Sequence, residues 1–131
     1  MKTFKKSILA LGLTLGIIAS VGGSVVFAAS ETFGHLNSYA TSARSRVFTN
    51  TADARTFFAT KGTVTVYSEY YYINVNNLNI GKMTRNDGGN NTYVASLAFT
   101  APNNTRSVKI ESSHVVYAFG DLWSASTKAT Y

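Results

Sequence analysis

From Trp123 to Tyr131 the chain alternates without a break, with Trp123, Ala125, Thr127, Ala129 and Tyr131 on one parity and Ser124, Ser126, Lys128 and Thr130 on the other. A period of two belongs to a half-buried β-strand, because successive side chains of an extended chain point to opposite faces. The pattern recurs upstream, where Tyr93, Ala95, Leu97 and Phe99 alternate with Val94, Ser96, Ala98 and Thr100. Elsewhere, abundant Thr, Ser, Asn, Val, Tyr and Phe, with little Leu, Glu or Lys, favour strands over helices.

Turn chemistry divides the remaining chain. Asn86-Asp87-Gly88-Gly89-Asn90-Asn91 supplies the positive φ of a hairpin between a strand over residues 78–85 and the one carrying Phe99. Lys61-Gly62 predicts a second turn, between residues 56–60 and 63–67. Pro102, within Ala101-Pro102-Asn103-Asn104-Thr105, predicts a third, and Gly120-Asp121 a fourth leading into the last strand. About seven to nine short strands at near-regular spacing predict an all-β, single-domain antiparallel β-sandwich or small barrel.

The N-terminus reads differently. Lys2, Lys5 and Lys6 precede an apolar run from Ile8 to Val26, followed by the small residues Ala28, Ala29 and Ser30. This is the three-part layout of a secretory signal peptide, and small residues at the first and third positions before the cut place cleavage after Ala28. The rival is an uncleaved anchor, since the run approaches the roughly 20 residues that span a bilayer. Glycines within the run, and the lack of a basic stop-transfer cluster after it, favour cleavage. The expected organisation is a signal peptide over residues 1–28 and one β-sandwich domain over residues 29–131, secreted to the extracellular space by a bacterium.

No cysteine is present, so the domain forgoes the disulfides common in small secreted folds. Fifteen aromatic residues follow residue 28, enough apolar area for a core without them. The formal charge of +6 shrinks when the signal segment is set aside, because nine basic and six acidic residues remain, a net of +3. With no dense Lys/Arg stripe, nucleic acid is not expected as a partner. An anionic cell wall or membrane surface suits this mild basicity.

The residue types that carry chemistry are sparse. Glu111-Ser112-Ser113-His114 places a carboxylate, hydroxyls and an imidazole together, but on a strand Ser112 and His114 face one way and Ser113 the other. No nucleophile elbow or oxyanion loop accompanies them. His35 and His114 are too few ligands for zinc, and Asp87 alone is too little for calcium. The expectation is a non-enzymatic protein without cofactor or metal.

The densest feature is Val66-Tyr67-Ser68-Glu69-Tyr70-Tyr71-Tyr72-Ile73-Asn74-Val75-Asn76, with four tyrosines. Val64 and Val66 share a parity with Tyr70 and Tyr72, whereas Ile73 and Val75 share theirs with Tyr67 and Tyr71. One regular strand cannot bury both sets with one face wet. A bulge near Ser68-Glu69 resolves the conflict by burying Tyr71, Ile73 and Val75 and turning Tyr70 and Tyr72 outward; covering both faces, or leaving some tyrosines at the surface, are the other resolutions. An exposed Tyr70–Tyr72 pair beside Asn74 and Asn76 offers stacking faces and amide groups to a sugar or a protein. A plain core wall with ordinary Asn-rich turn chemistry is the competing account.

Arg44 and Arg46 share a strand face, with Arg55 nearby in sequence, and suit phosphate or carboxylate groups, although charge protecting an edge strand explains them too. The leading expectation is a secreted cell-surface or extracellular binding protein, contacting a cell-wall polymer, glycan or protein through Tyr70, Tyr72, Asn74, Asn76, Arg44 and Arg46. The alternative is an exported bacteriocin-like or pore-forming antibacterial effector.

Overall fold

The computed structural model describes residues 13–19 and 26–131, with side chains from residue 28 onward. Seven strands form a single antiparallel sheet: β1 (Leu13–Ala19), β2 (Val26–Leu36), β3 (Tyr39–Val47), β4 (Thr51–Asn74), β5 (Ile80–Thr100), β6 (Thr105–Ala118) and β7 (Asp121–Thr130). The order is β1-β2-β3-β4-β6-β7, with β5 lying along the other edge of β4. The sheet curls until β7 packs back on β2 and β3, nearly closing like a barrel. Of the expected signal segment, residues 1–12 and 20–25 lie outside the described residues, and Leu13–Ala19 pairs with β2.

With β1 inside the expected signal segment, residues 29–131 carry six strands, fewer than the seven to nine expected, because two are long, β4 with 24 residues and β5 with 21. They pair along nearly their whole length, from Thr51↔Thr100 to Ile73↔Ile80. The opposite edge of β4 is shared: β3 takes residues 52–58 and β6 takes residues 63–74. Both predicted hairpin turns, at Lys61-Gly62 and at Asn86–Asn91, are therefore overturned. They are the two sides of one corner in the β4–β5 ribbon.

Its sharpness is measurable. Nine residues of extended chain span about 30 Å, yet the Thr56 hydroxyl donates to the Thr65 carbonyl at 2.9 Å. On the partner strand, the Ser96 N–H donates to Asp87 Oδ2 at 2.9 Å, again nine residues apart. Gly88 and Asn91 carry positive φ there, 152° and 57°, and the register shifts at Gly62. Positive-φ residues permit a bulged bend as readily as a reversal, and a partner strand continuing on both sides selects the bend. The actual reversal is the Asn-rich turn at residues 75–79, where Leu78 has φ 62°. The predicted turns at residues 101–104 and at Gly120 are present.

The core lies inside the curl. Leu36, Val47, Phe58, Val64, Val66, Tyr70, Phe99, Ile110, Val116 and Trp123 are almost wholly buried. Along β7 the alternation reads as expected, with Trp123, Thr127 and Ala129 inside. A polar layer crosses the middle. His114 lies 2.8 Å from Thr56 through Nδ1 and 2.8 Å from Thr127 through Nε2, while Ser45 contacts Thr127 and Ser112, and Ser112 contacts Ser68. Because Thr56 donates to Thr65, its oxygen accepts from the ring, which puts the His114 proton on Nδ1 and leaves Nε2 to accept from Thr127. These contacts give the buried side chains of the layer hydrogen-bond partners, which lowers the cost of burying them.

The tyrosine parity is settled in favour of Val64 and Val66. No bulge occurs at Ser68-Glu69; β4 runs on with Ser68 and Tyr70 inside, and the register shift against β6 comes later, between Tyr71 and Tyr72. Tyr70, expected outside, is 0% exposed, stacks on Phe99 at 5.1 Å and bonds Ser107 at 2.7 Å. Tyr72 is half-buried against the core and lies so close over Gly81 that a β-carbon there would stand 2.5 Å from its ring. Tyr71 and Ile73, expected in the core, are half-buried, and Val75 is exposed.

Candidate functional site

The same parity that buries Tyr70 turns Tyr67, Glu69 and Tyr71 outward. Residues two apart on β4 share a face, and register brings Lys82 of β5 beside Tyr71, and Lys109, Glu111 and Ser113 of β6 beside Tyr71, Glu69 and Tyr67. Next in the sheet, β7 sets Lys128 beside Glu111 and Ser126 beside Ser113. The result is a polar and aromatic face with a cleft of about 450 Å³, lined by Tyr67, Glu69, Glu111, Ser113, Ser126 and Lys128 among others.

Its geometry is held by charge-assisted bonds. Tyr71 donates to Glu69 Oε1 at 2.8 Å and Tyr67 donates to Oε2 at 3.1 Å. Lys109 Nζ sits 4.7 Å from the Tyr71 ring centre on one side, and Lys82 Nζ is 6.0 Å from it. Glu111 pairs with Lys109 at 3.0 Å and with Lys128 at 3.7 Å. Glu69 and Glu111 face each other in register; two bare carboxylates there repel, and these tyrosines and lysines offset the repulsion.

The hydroxyls of Tyr71 and then Tyr67, helped by Lys82 and Lys109, hold the Glu69 carboxyl below its usual range. The hydrogen bond to Glu69 raises Tyr71, while partial desolvation, then the bond to Glu69, raises Tyr67. At neutral pH the face therefore presents an ionised Glu69 between two neutral phenols, with the lysines and Glu111 beside them. Such a set donates and accepts hydrogen bonds to hydroxyl-rich ligands, and Tyr67, 43% exposed, offers a ring for stacking.

The expected contact residues fall elsewhere. Tyr70 has no surface to offer, and Tyr72 lies on the inward parity. Asn74 is committed to the turn, its Oδ1 accepting the N–H groups of Asn76 and Asn77 at 2.8 and 3.1 Å; Asn76 is exposed. Arg44 and Arg46 do share an outward face, on β3, but Arg46 is tied to Asp53 by two bonds of 3.0 and 2.7 Å. Arg55, expected only as near in sequence, stands directly opposite Arg44 across the β3–β4 pair. His114 and Ser112 point inside and Ser113 outside. Among the described residues no three His, Cys, Asp or Glu side chains converge as metal ligands.

Tyr67 and Tyr71 were visible as one parity set, but Glu69 between them was not singled out. Glu111, Lys109 and Lys128 join it only through register between distant strands. No protein-family model matches the chain, and neither a curated protein nor a solved structure matches it.

Proposed function

We propose that the chain is an exported bacterial binding protein, non-enzymatic, whose ligand is a hydroxyl-rich glycan of the cell wall or cell surface. One observation carries this reading: the outward Tyr67-Glu69-Tyr71 triplet, with the lysines and Glu111 beside it, bordering an open cleft. Carboxylates accept from paired sugar hydroxyls, lysines donate to ring and carbonyl oxygens, and an exposed phenol ring stacks on the apolar face of a pyranose. In this reading residues 1–28 are removed on export, which takes away β1 and the first three residues of β2. The two halves of the folded β4–β5 ribbon then supply the facing layers of a β-sandwich.

The test is retention on purified bacterial cell wall. Protein collected from the medium of cells expressing the full chain is compared with the Tyr67→Ala/Glu69→Gln double variant. Loss of retention, at a thermal stability within about 1 kcal/mol of the parent, supports the assignment; equal retention sinks it. The mass of the released product decides the export claim, since an intact N-terminus contradicts cleavage after Ala28.

A second reading, an effector acting on target membranes, is favoured by the tip of the β4–β5 ribbon. Val75, Leu78 and Ile80 are 51%, 68% and 63% exposed there. Dye release from anionic vesicles that Leu78→Asn abolishes would select this reading over glycan binding.

A further inference from the structure

Arg44 and Arg55 stand directly opposite each other on β3 and β4 and share the outward face with Arg46. Like charges in that relation destabilise a sheet. Arg46 is neutralised by its two bonds to Asp53. Among the described residues, neither Arg44 nor Arg55 forms an ion pair. Glu31 faces Arg44 from β2 without reaching ion-pair distance. Arg44 Nε is buried with no hydrogen-bond partner, an expensive condition for a charged donor. Burial first, then Arg46 and Arg55, weakens its hold on the proton, while Asp53 and Glu31 act the other way. Beside the pair lies a cleft of about 420 Å³ lined by Arg44, Arg46, Asp53, Arg55 and Ser96 among others.

We propose that Arg44 and Arg55 form a binding site for a phosphate group, with the guanidinium forks of two adjacent strands converging on one tetrahedral oxyanion. A planar fork matches two oxygens of one anion. A carboxylate has only two, so it satisfies one arginine and leaves its neighbour bare. A phosphate distributes its oxygens between both forks, supplies the partner that Arg44 Nε lacks, and removes the repulsion between the strands. The site lies on β3 and the first half of β4, whereas the tyrosine face lies on the second half of β4, β6 and β7. It therefore stands whether or not that face binds a glycan.

The experiment uses the full chain and inorganic phosphate, with sodium chloride at equal ionic strength as the reference salt. Phosphate is expected to raise the melting temperature beyond chloride and to bind by calorimetry. Arg44→Gln and Arg55→Gln should each weaken it about tenfold or more, since a hydrogen-bonded charge contributes about 1.5–3 kcal/mol. Tyr67→Ala should bind phosphate like the parent. Without phosphate, Arg55→Gln should be at least as stable as the parent, because it relieves repulsion, an outcome that a purely structural arginine does not give. The biological source follows from wall polymer with and without its phosphodiesters, and from phosphatidylglycerol against phosphatidylcholine vesicles; arginine-dependent retention on either phosphate-bearing material extends the site to it. Equal effects of phosphate and chloride, or unchanged phosphate affinity in both glutamine variants, would overturn the proposal.

Discussion

The Thr56 hydroxyl and the Thr65 carbonyl oxygen are 2.9 Å apart although nine residues separate them on one strand. That contact is the inner side of the corner in the β4–β5 ribbon, and the outer strand must make the same bend. Gly88, at φ 152°, does so, and a β-carbon there would lie 2.5 Å from the Val64 carbonyl oxygen and 2.8 Å from Thr65 Cα. Both obstacles are backbone and cannot swing away. Gly88→Ala is expected to cost at least about 2 kcal/mol. At Gly89 an added β-carbon meets nothing within 4 Å, so Gly89→Ala should stay within about 0.5 kcal/mol. Urea denaturation of the two variants checks the contrast.

Burial lowers the His114 pKa from 6.5 to about 4, so the ring is neutral in the fold at pH 7. The unfolded chain takes up the proton near 6.5 while the folded chain resists it. Stability is then complete above about pH 6.5 and falls as pH drops from 6.5 toward 4, by on the order of 3 kcal/mol in all. Denaturant midpoints measured from pH 7.5 to 4.5 should trace this decline, and His114→Gln should flatten the part above pH 5. A parent profile already flat between pH 7 and 5 would show that His114 does not govern the decline.

Tyr67 and Tyr70 differ by three positions and should differ sharply on truncation. Tyr70→Ala removes a fully buried ring packed on Phe99, for which a loss of about 3–5 kcal/mol is expected. Tyr67→Ala removes a largely exposed ring with one hydrogen bond to Glu69, and should cost no more than about 1 kcal/mol. Thermal melts of the pair report directly on which tyrosine parity is internal.

Asn74 and Asn76 separate in the same way. Asn74 Oδ1 holds two turn N–H groups, so Asn74→Ala should destabilise by about 1 kcal/mol. Asn76 contributes its own N–H rather than its side chain to that turn, and Asn76→Ala should be near neutral by the same melts.

These contrasts mark how far the sequence carries. The alternation from Trp123 onward and from Tyr93 to Phe99 predicted which residues face the core, because period two has one geometric meaning on a strand, except that Tyr93, beside the corner, is 48% exposed. Asp87-Gly88-Gly89 signalled a change of direction correctly but not its kind, since the same dihedral freedom serves a reversal or a corner. Only the continued pairing of residues 62–74 decides between them. The tyrosine stretch was legible as two parity sets and no further. Its internal set is fixed by groups remote in sequence: Ser107 is hydrogen-bonded to the Tyr70 hydroxyl, and Ser112 to Ser68. The set with Ile73 and Val75 loses because it ends at the turn, where Val75 meets solvent. The arginine pairing likewise changes from Arg44 with Arg46 to Arg44 with Arg55 once β3 and β4 are in register.

The shared edge of β4 also predicts an order of events in folding. The ribbon closed by residues 75–79 and the β3–β4 pair closed by residues 48–50 both bring their strands together with little loop entropy, whereas β6 must reach its half of the β4 edge across the whole of β5. The corner is thus expected to form before β6 registers on it. Damage to it, as in Gly88→Ala, is expected to slow refolding more than it hastens unfolding. By contrast, trimming Trp123, on β7, which pairs with β6 and not with the ribbon, should leave the refolding rate almost untouched and act through unfolding.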